Sequence, residues 1–267
     1  EAEPRPLLIP PLIDSRGGRT VALTAQHGQT EFLAGRASPS AGYNGSYLGP
    51  TLRVHRGDDV PFEVTSRLKE DTTVHWHGLL IPAELDGGPH NTIAPGQTWR
   101  PVLPIRQPAT TAWYHAHPHG RTGIQAYHGL AGMLIVADAE EAALGLPSRY
   151  GVDDLPIVLQ DRAFDREGRL VYPLNPMSTM HGVRGPVVLV NGAPQPQASV
   201  PAGLVRLRRG ERLAGDLHDL AVDLDEDRRV RRQVHVGGVL LRHQAQHALE
   251  VVGHAGLHRA FRRAAVR

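Results

Sequence analysis

The chain has 267 residues, with 29 Lys and Arg against 27 Asp and Glu, 40% hydrophobic content and no cysteine. That apolar fraction supports a packed core, and a net charge of +2 gives no electrostatic case for nucleic acid or an anionic membrane surface. Without cysteine there is no disulfide framework, thiolate zinc site or cysteine nucleophile, and no run approaches the roughly 20 apolar residues of a membrane-spanning helix.

From residue 1 to about 140, short runs rich in β-branched and aromatic residues alternate with Gly and Pro turns. Strands are expected at 20–23, 51–55, 60–66, 73–77, 99–105, 113–117 and 131–137, a spacing that indicates an all-β sandwich or barrel. Residues 138–150 read as a short helix closed by Gly145 and Pro147, followed by a linker, so a first domain is expected over 1–140. A second β segment begins at 155–161; a Pro- and Met-containing loop follows, then a strand and turn at 186–192 and a further strand at 200–208.

The composition changes near residue 208. All 22 prolines lie at or before Pro201, and of 13 aromatic residues only Phe261 lies beyond Arg208. Residues 209–267 form an Arg/His-rich tail whose arginines are interleaved with acids, which reads as a solvated or disordered extension rather than a nucleic-acid arm. His243/His247 and His254/His258 have the spacing of one helix face, but no carboxylate or cysteine accompanies them as a metal site would require.

Two histidine clusters carry the chemistry: His75-Trp76-His77-Gly78 and His115-Ala116-His117-Pro118-His119-Gly120. In an extended strand residues i and i+2 share a face, so each His-x-His pair presents two imidazoles together, and two pairs can converge on a metal. Imidazole suits copper, zinc, iron or nickel, so the pairs alone select a ligand type rather than an ion. Trp76 points to the opposite face and is expected to pack there, and His119 follows a Pro that redirects it away from the pairs.

Around these clusters the run Thr72-Thr73-Val74-His75-Trp76-His77-Gly78, then Asp86-Gly87-Gly88-Pro89, Ala94-Pro95-Gly96-Gln97, Trp113-Tyr114-His115-Ala116-His117 and Gly129-Leu130-Ala131-Gly132-Met133 resembles the first cupredoxin domain of multicopper oxidases, in the bacterial cuprous-oxidase or laccase-like branch. The similarity spans roughly residues 5–208. It implies a cupredoxin-like Greek-key β-sandwich over 1–140, the start of an incomplete second cupredoxin domain over 151–208, and an atypical tail. It implies copper as cofactor, with His75 at a type 2 position and His77, His115 and His117 at type 3 positions, and Asp86 as a carboxylate delivering protons to reduced oxygen. The implied partners are dioxygen and a small reducing substrate, either cuprous ion or a phenolic donor, in a periplasmic or exported location.

Against that pattern, the chain has no cysteine for a type 1 copper and no further His-x-His after residue 119. Half of the copper cluster and the electron entrance are therefore missing, and the chain is expected to be inactive alone. The break near residue 208 suggests that the tail is translated out of frame or reflects a truncated gene. The alternative is a non-enzymatic cupredoxin-fold binding or scaffold protein of the cell envelope. Relatives in that role dispense with the histidines, so their retention counts against it. A partial second domain leaves strand edges unpaired, so residues 151–208 are expected to be marginal unless they dock on the first domain, and protease is expected to leave a core ending near residue 140.

Overall fold

The computed structural model describes residues 5–210 and, beyond them, four short strands at Asp223–Leu224, Gln233–Val236, Val239–His243 and Glu250–Val252. Most of the tail, including His247, His254 and His258, lies outside the described residues. His243 closes a strand, and the expected pairing of His243 with His247 lies outside the described residues.

The first unit is built from β1 (Leu12–Asp14), β2 (Val21–Leu33), β3 (Arg36–Tyr43), β4 (Thr51–His55), β5 (Asp59–Ser66), β6 (His75–His77), β7 (Thr98–Trp99), β8 (Val102–Pro104), β9 (Thr110–His115) and β10 (Ala131–Ala137). One sheet has the order β1-β4-β10-β9-β6, the other β3-β2-β5-β7 with β8 also on β5. Parallel pairing of β4 with β10 and of β2 with β5 shows the crossovers of a Greek-key, cupredoxin-like sandwich. Between the sheets lies one apolar cluster that includes Leu23, Leu52, Val54, Phe62, Val64, Trp76, Tyr114, Leu134 and Val136.

The strand pattern explains itself where one face is wet: along β5 every second residue, Val60, Phe62, Val64 and Ser66, is buried. β10 differs, being buried at every position from Ala131 to Val136. Leu134 and Val136 enter the sandwich core, while Ala131, Met133 and Ile135 pack with Leu48 against Val158 of the second unit.

Several boundaries differ from the sequence expectation. The strand expected at 20–23 continues to Leu33 and turns back as β3; over residues 26–31 it alternates between intermediate and exposed positions, so no apolar rhythm marks that stretch. The strand expected at 99–105 is split into β7 and β8, which pair with β5 in one register, because Pro101 has no N–H to give the ladder. β9 ends at His115 rather than at residue 117. A helix not read from the sequence, α1 (Thr122–Tyr127), follows; it is six residues long and has no side-chain N-cap. The expected helix after residue 138 is α2 (Ala139–Ala143), shorter than its sequence span and capped by Asp138, whose carboxylate accepts from the Glu141 amide at 2.7 Å.

The second unit carries β11 (Asp154–Phe164), β12 (Leu170–Val171), α3 (Pro176–His181), β13 (Val187–Val190), β14 (Ala193–Pro194), β15 (Gln197–Val200) and β16 (Leu204–Gly210). α3 replaces the expected loop, opened by a reciprocal cap between Asn175 and Ser178. Leu7 from the N-terminal segment joins Leu155, Ile157, Val190 and Val205 in this unit's core, and its amide donates to the Gln197 carbonyl at 2.7 Å.

The two units are docked. Tyr47 Oη donates to Gln160 Oε1 at 2.9 Å and accepts from Arg162 Nε at 3.2 Å. The Ala163 amide donates to Tyr127 Oη at 2.8 Å, and the Leu170 amide to Ser38 Oγ at 2.8 Å. Arg208 pairs with the fully buried Asp154, and Arg206 with Glu141 of α2. The condition for stability of 151–208 is thus met, and the expected protease boundary moves from near 140 to beyond 208.

Candidate metal centre

β6 and β9 pair antiparallel with His75 opposite His115, Trp76 opposite Tyr114 and His77 opposite Trp113. The pleat sends Trp76 inward, where it is fully buried against Phe62, Trp99 and Tyr114, with ring centroids at 4.5, 6.4 and 6.1 Å. Its two histidine neighbours therefore project from the opposite face of the sheet. That face is the outer one: His75 is half-buried and His77 exposed.

The four histidines of the two pairs converge. Centroids of His75 lie 5.3 Å from those of His77, His115 and His117, and His115 lies 5.5 Å from His77 and 5.6 Å from His117. Ligand nitrogens of His75, His77 and His115 all lie within 4.8 Å of one another. His77 Nδ1 and His115 Nε2 are 3.3 Å apart, about the separation of two nitrogens each roughly 2 Å from one ion at a tetrahedral angle. His117 lies beyond the end of β9, so a loop rather than the strand pleat places it. Its amide donates to Thr73 Oγ1 at 2.8 Å. His119 is exposed and outside this group.

Surrounding acceptors set the ring tautomers. His75 Nδ1 donates to the Asp86 carbonyl at 2.9 Å, with the Asp86 carboxylate 3.2 Å away. His115 Nδ1 donates to the Ala116 carbonyl at 2.9 Å. In both rings the proton is held at Nδ1 and the Nε2 lone pair is free to ligate. Burial holds His115 neutral, pushing its pKa down to about 3; burial, and then the neighbouring His75 and His117, lower that of His77. Trp113 stacks on His115 at 3.9 Å and an interplanar angle of 16°, and on His77 at 5.0 Å.

Asp86 is brought to His75 by a tight return of the chain. Its carbonyl accepts from the Trp76 amide at 3.1 Å, and Gly87 follows at φ +76° with Val74 O only 1.6 Å from where a Cβ would stand. Only glycine fits there. The Asp-Gly-Gly-Pro run thus clamps the carboxylate on the back of His75. Sequence reading missed three supports: Gln107 bridging the Leu80 amide and the Gly78 carbonyl, Gln125 bridging Thr72 and Asp71, and Thr122 beside His117. Gln125 and Thr122 sit on the unforeseen helix α1, and Gln107 in a loop without a motif.

Four convergent imidazoles, two of them with Nδ1 committed to a main-chain carbonyl, are a donor set suited to a borderline transition-metal ion such as copper. The fold and this site define a cupredoxin-type domain with a candidate metal centre. Residues 24–141 match the family profile of the multicopper oxidases, and the chain resembles the N-terminal portion of that family. It is 48% identical to a laccase-like multicopper oxidase, CueO, from Ochrobactrum sp., with a TM-score of 0.72 over 76% of this chain and 46% of that one. The McoA multicopper oxidase of Aquifex aeolicus is 35% identical with a TM-score of 0.71, over 78% of this chain and 46% of that one. The cell division protein FtsP of Salmonella typhimurium is 46% identical over 204 residues, covering 76% of this chain and 43% of FtsP. The chain therefore spans less than half the length of the relatives it matches.

Proposed function

We propose that His75, His77, His115 and His117 hold copper, His75 at the type 2 position and the other three at type 3 positions, as one half of the oxygen-reducing site of a multicopper oxidase. The observation that carries this reading is the convergence of both His-x-His pairs, with Nδ1 of His75 and of His115 committed to main-chain carbonyls and Nε2 left as the ligating nitrogen. Copper bound there supplies one-electron redox chemistry toward dioxygen.

The chain's own residues have separate tasks. Burial holds His115 neutral, partial desolvation and the neighbouring histidines favour the neutral form of His77, and Trp113 stacks on both rings. Asp86 stays partly in contact with solvent while its carboxylate rests against His75, which puts it between water and the site as the proton-delivering group of this reading. Donor oxidation, of cuprous ion or a phenol, needs the cysteine-bearing electron entrance that this sequence lacks. The chain alone therefore binds copper without turning over. Residues 151–208 are the start of a second cupredoxin domain in this reading, and the location is periplasmic or exported. Among the described residues no helix is long and apolar enough to cross a membrane.

Copper titration of the metal-free chain with electron paramagnetic resonance and oxygen uptake tests this. Bound copper without intense blue absorption and without oxygen consumption is the expected result. Robust turnover overturns the incompetence of the isolated chain, and a preference for zinc or iron overturns the copper reading. A second reading, a non-enzymatic scaffold of the cell envelope, is favoured by the identity to FtsP. A chain that takes up no copper and is unaffected by loss of His115 supports the scaffold.

A further inference from the structure

We propose that Thr122, on the first turn of α1, is a positioning residue for His117; the inference rests on the copper reading above and extends it to a residue outside the ligand set. His117 differs from its neighbours in what holds its ring. The Nδ1 acceptors of His75 and His115 are main-chain carbonyls, which no side-chain substitution removes. The group facing His117 Nδ1 is the Thr122 hydroxyl, at 3.4 Å. That hydroxyl donates its own proton to the Pro118 carbonyl at 3.0 Å, so it offers a lone pair to the ring. It therefore accepts from Nδ1–H, and the Nε2 lone pair is left to ligate.

The hydroxyl is itself held in place through the whole of α1. Gln125, buried, donates to the Asp71 carbonyl at 2.8 Å and accepts from Thr72 Oγ1 at 2.7 Å, tying the helix to the segment that leads into β6. At the far end Tyr127 accepts from the Ala163 amide, and the Arg162 guanidinium lies 4.3 Å from its ring centroid. Helix α1 thus spans from β11 of the second unit to the fourth histidine. Because β9 has already ended, this helix and the Thr73 hydroxyl do for His117 what strand geometry does for the other three.

The test compares the full chain with Thr122→Val, which keeps the shape and removes the acceptor, and Thr122→Ser, which restores it. In the metal-free proteins, imidazole nitrogen NMR reads the tautomer directly: Nδ1–H for His117 in the parent and the serine variant, and loss of that preference in the valine variant. With cupric ion as the probe, Thr122→Val is expected to bind about 10- to 100-fold more weakly with an altered paramagnetic resonance spectrum, at an unchanged metal-free Tm. Thr122→Ser is expected to recover both. An unchanged His117 tautomer in Thr122→Val overturns the proposal, as does a weakening that serine fails to rescue. If the parent chain binds no copper, the copper reading fails, while the tautomer measurement still decides the role of Thr122.

Discussion

His75 and His115 stand directly opposite one another across the β6–β9 ladder, with ring centroids 5.3 Å apart and planes at 90°. Each has its Nδ1 committed to a main-chain carbonyl, so the two rings are fixed by strand register and backbone rather than by each other. Replacing either by alanine removes a proposed ligand without touching the sandwich core. His115→Ala should lower copper affinity more than tenfold, because even loss of a group that merely supports a ligand costs 10- to 100-fold. Isothermal titration with cupric ion checks this, and an affinity within a factor of two of the parent would count against a shared site.

The metal-free chain should lose stability as pH falls from about 6.5 toward 3. His115 and His77 have their pKa values lowered in the folded state, chiefly by burial, whereas in the unfolded chain they titrate near 6.5. The unfolded state therefore binds more protons in this window, and stability rises with pH through it and is flat above it. Urea unfolding at pH 7 and pH 5 should show the fall, before most carboxylates titrate, and His115→Asn should flatten it. An equal fall in parent and variant would remove His115 from the account.

Gly87→Ala should destabilise the fold by roughly 1–3 kcal/mol and weaken copper binding together, since it adds backbone strain and drives a Cβ into Val74 O. Gly17, at φ +82° with nothing near its Cβ position, is the control for strain alone. If Gly17→Ala matches Gly87→Ala in both measurements, the Asp86 clamp is not what the glycine secures.

Limited proteolysis should yield a fragment extending past residue 208, because β16 pairs with β11 and its Arg208 is buried against Asp154 at 2.8 Å. Asp154→Ala leaves that guanidinium without its nearest carboxylate and should cost roughly 3 kcal/mol in urea unfolding, together with cleavage earlier in the chain. A protected core ending near residue 140 in the parent would show that the docking contacts do not hold.

The sandwich and the four histidines were legible in the sequence because both depend on local pattern: two-residue alternation for the strands, and paired imidazoles in fixed surroundings for the site. What escaped has physical reasons. In the outer half of the β2–β3 hairpin residues 26–31 are buried nowhere and the facing strand buries the polar Ser38 and Ser40, so no apolar rhythm marks it. α1 is too short for helical periodicity and lacks a side-chain cap, so the residue facing His117 could not be foreseen. The docking of the second unit rests on the partly buried Tyr47 and the buried Gln160 and Arg162, polar contacts that only the assembled structure reveals. The tight return at Gly87 was visible as a turn, but not that it presses Asp86 onto His75.

The double burial of β10 also sets how that stretch tolerates change. In β5, substitutions at alternate positions meet water and should be absorbed, so a position-by-position scan would show a two-residue rhythm. From Ala131 to Val136 the same scan should show none, each side chain being pinned either by the sandwich or by the neighbouring unit. A damaging variant at Met133 or Ile135 would then act by parting the two units, and one at Leu134 or Val136 by loosening the first.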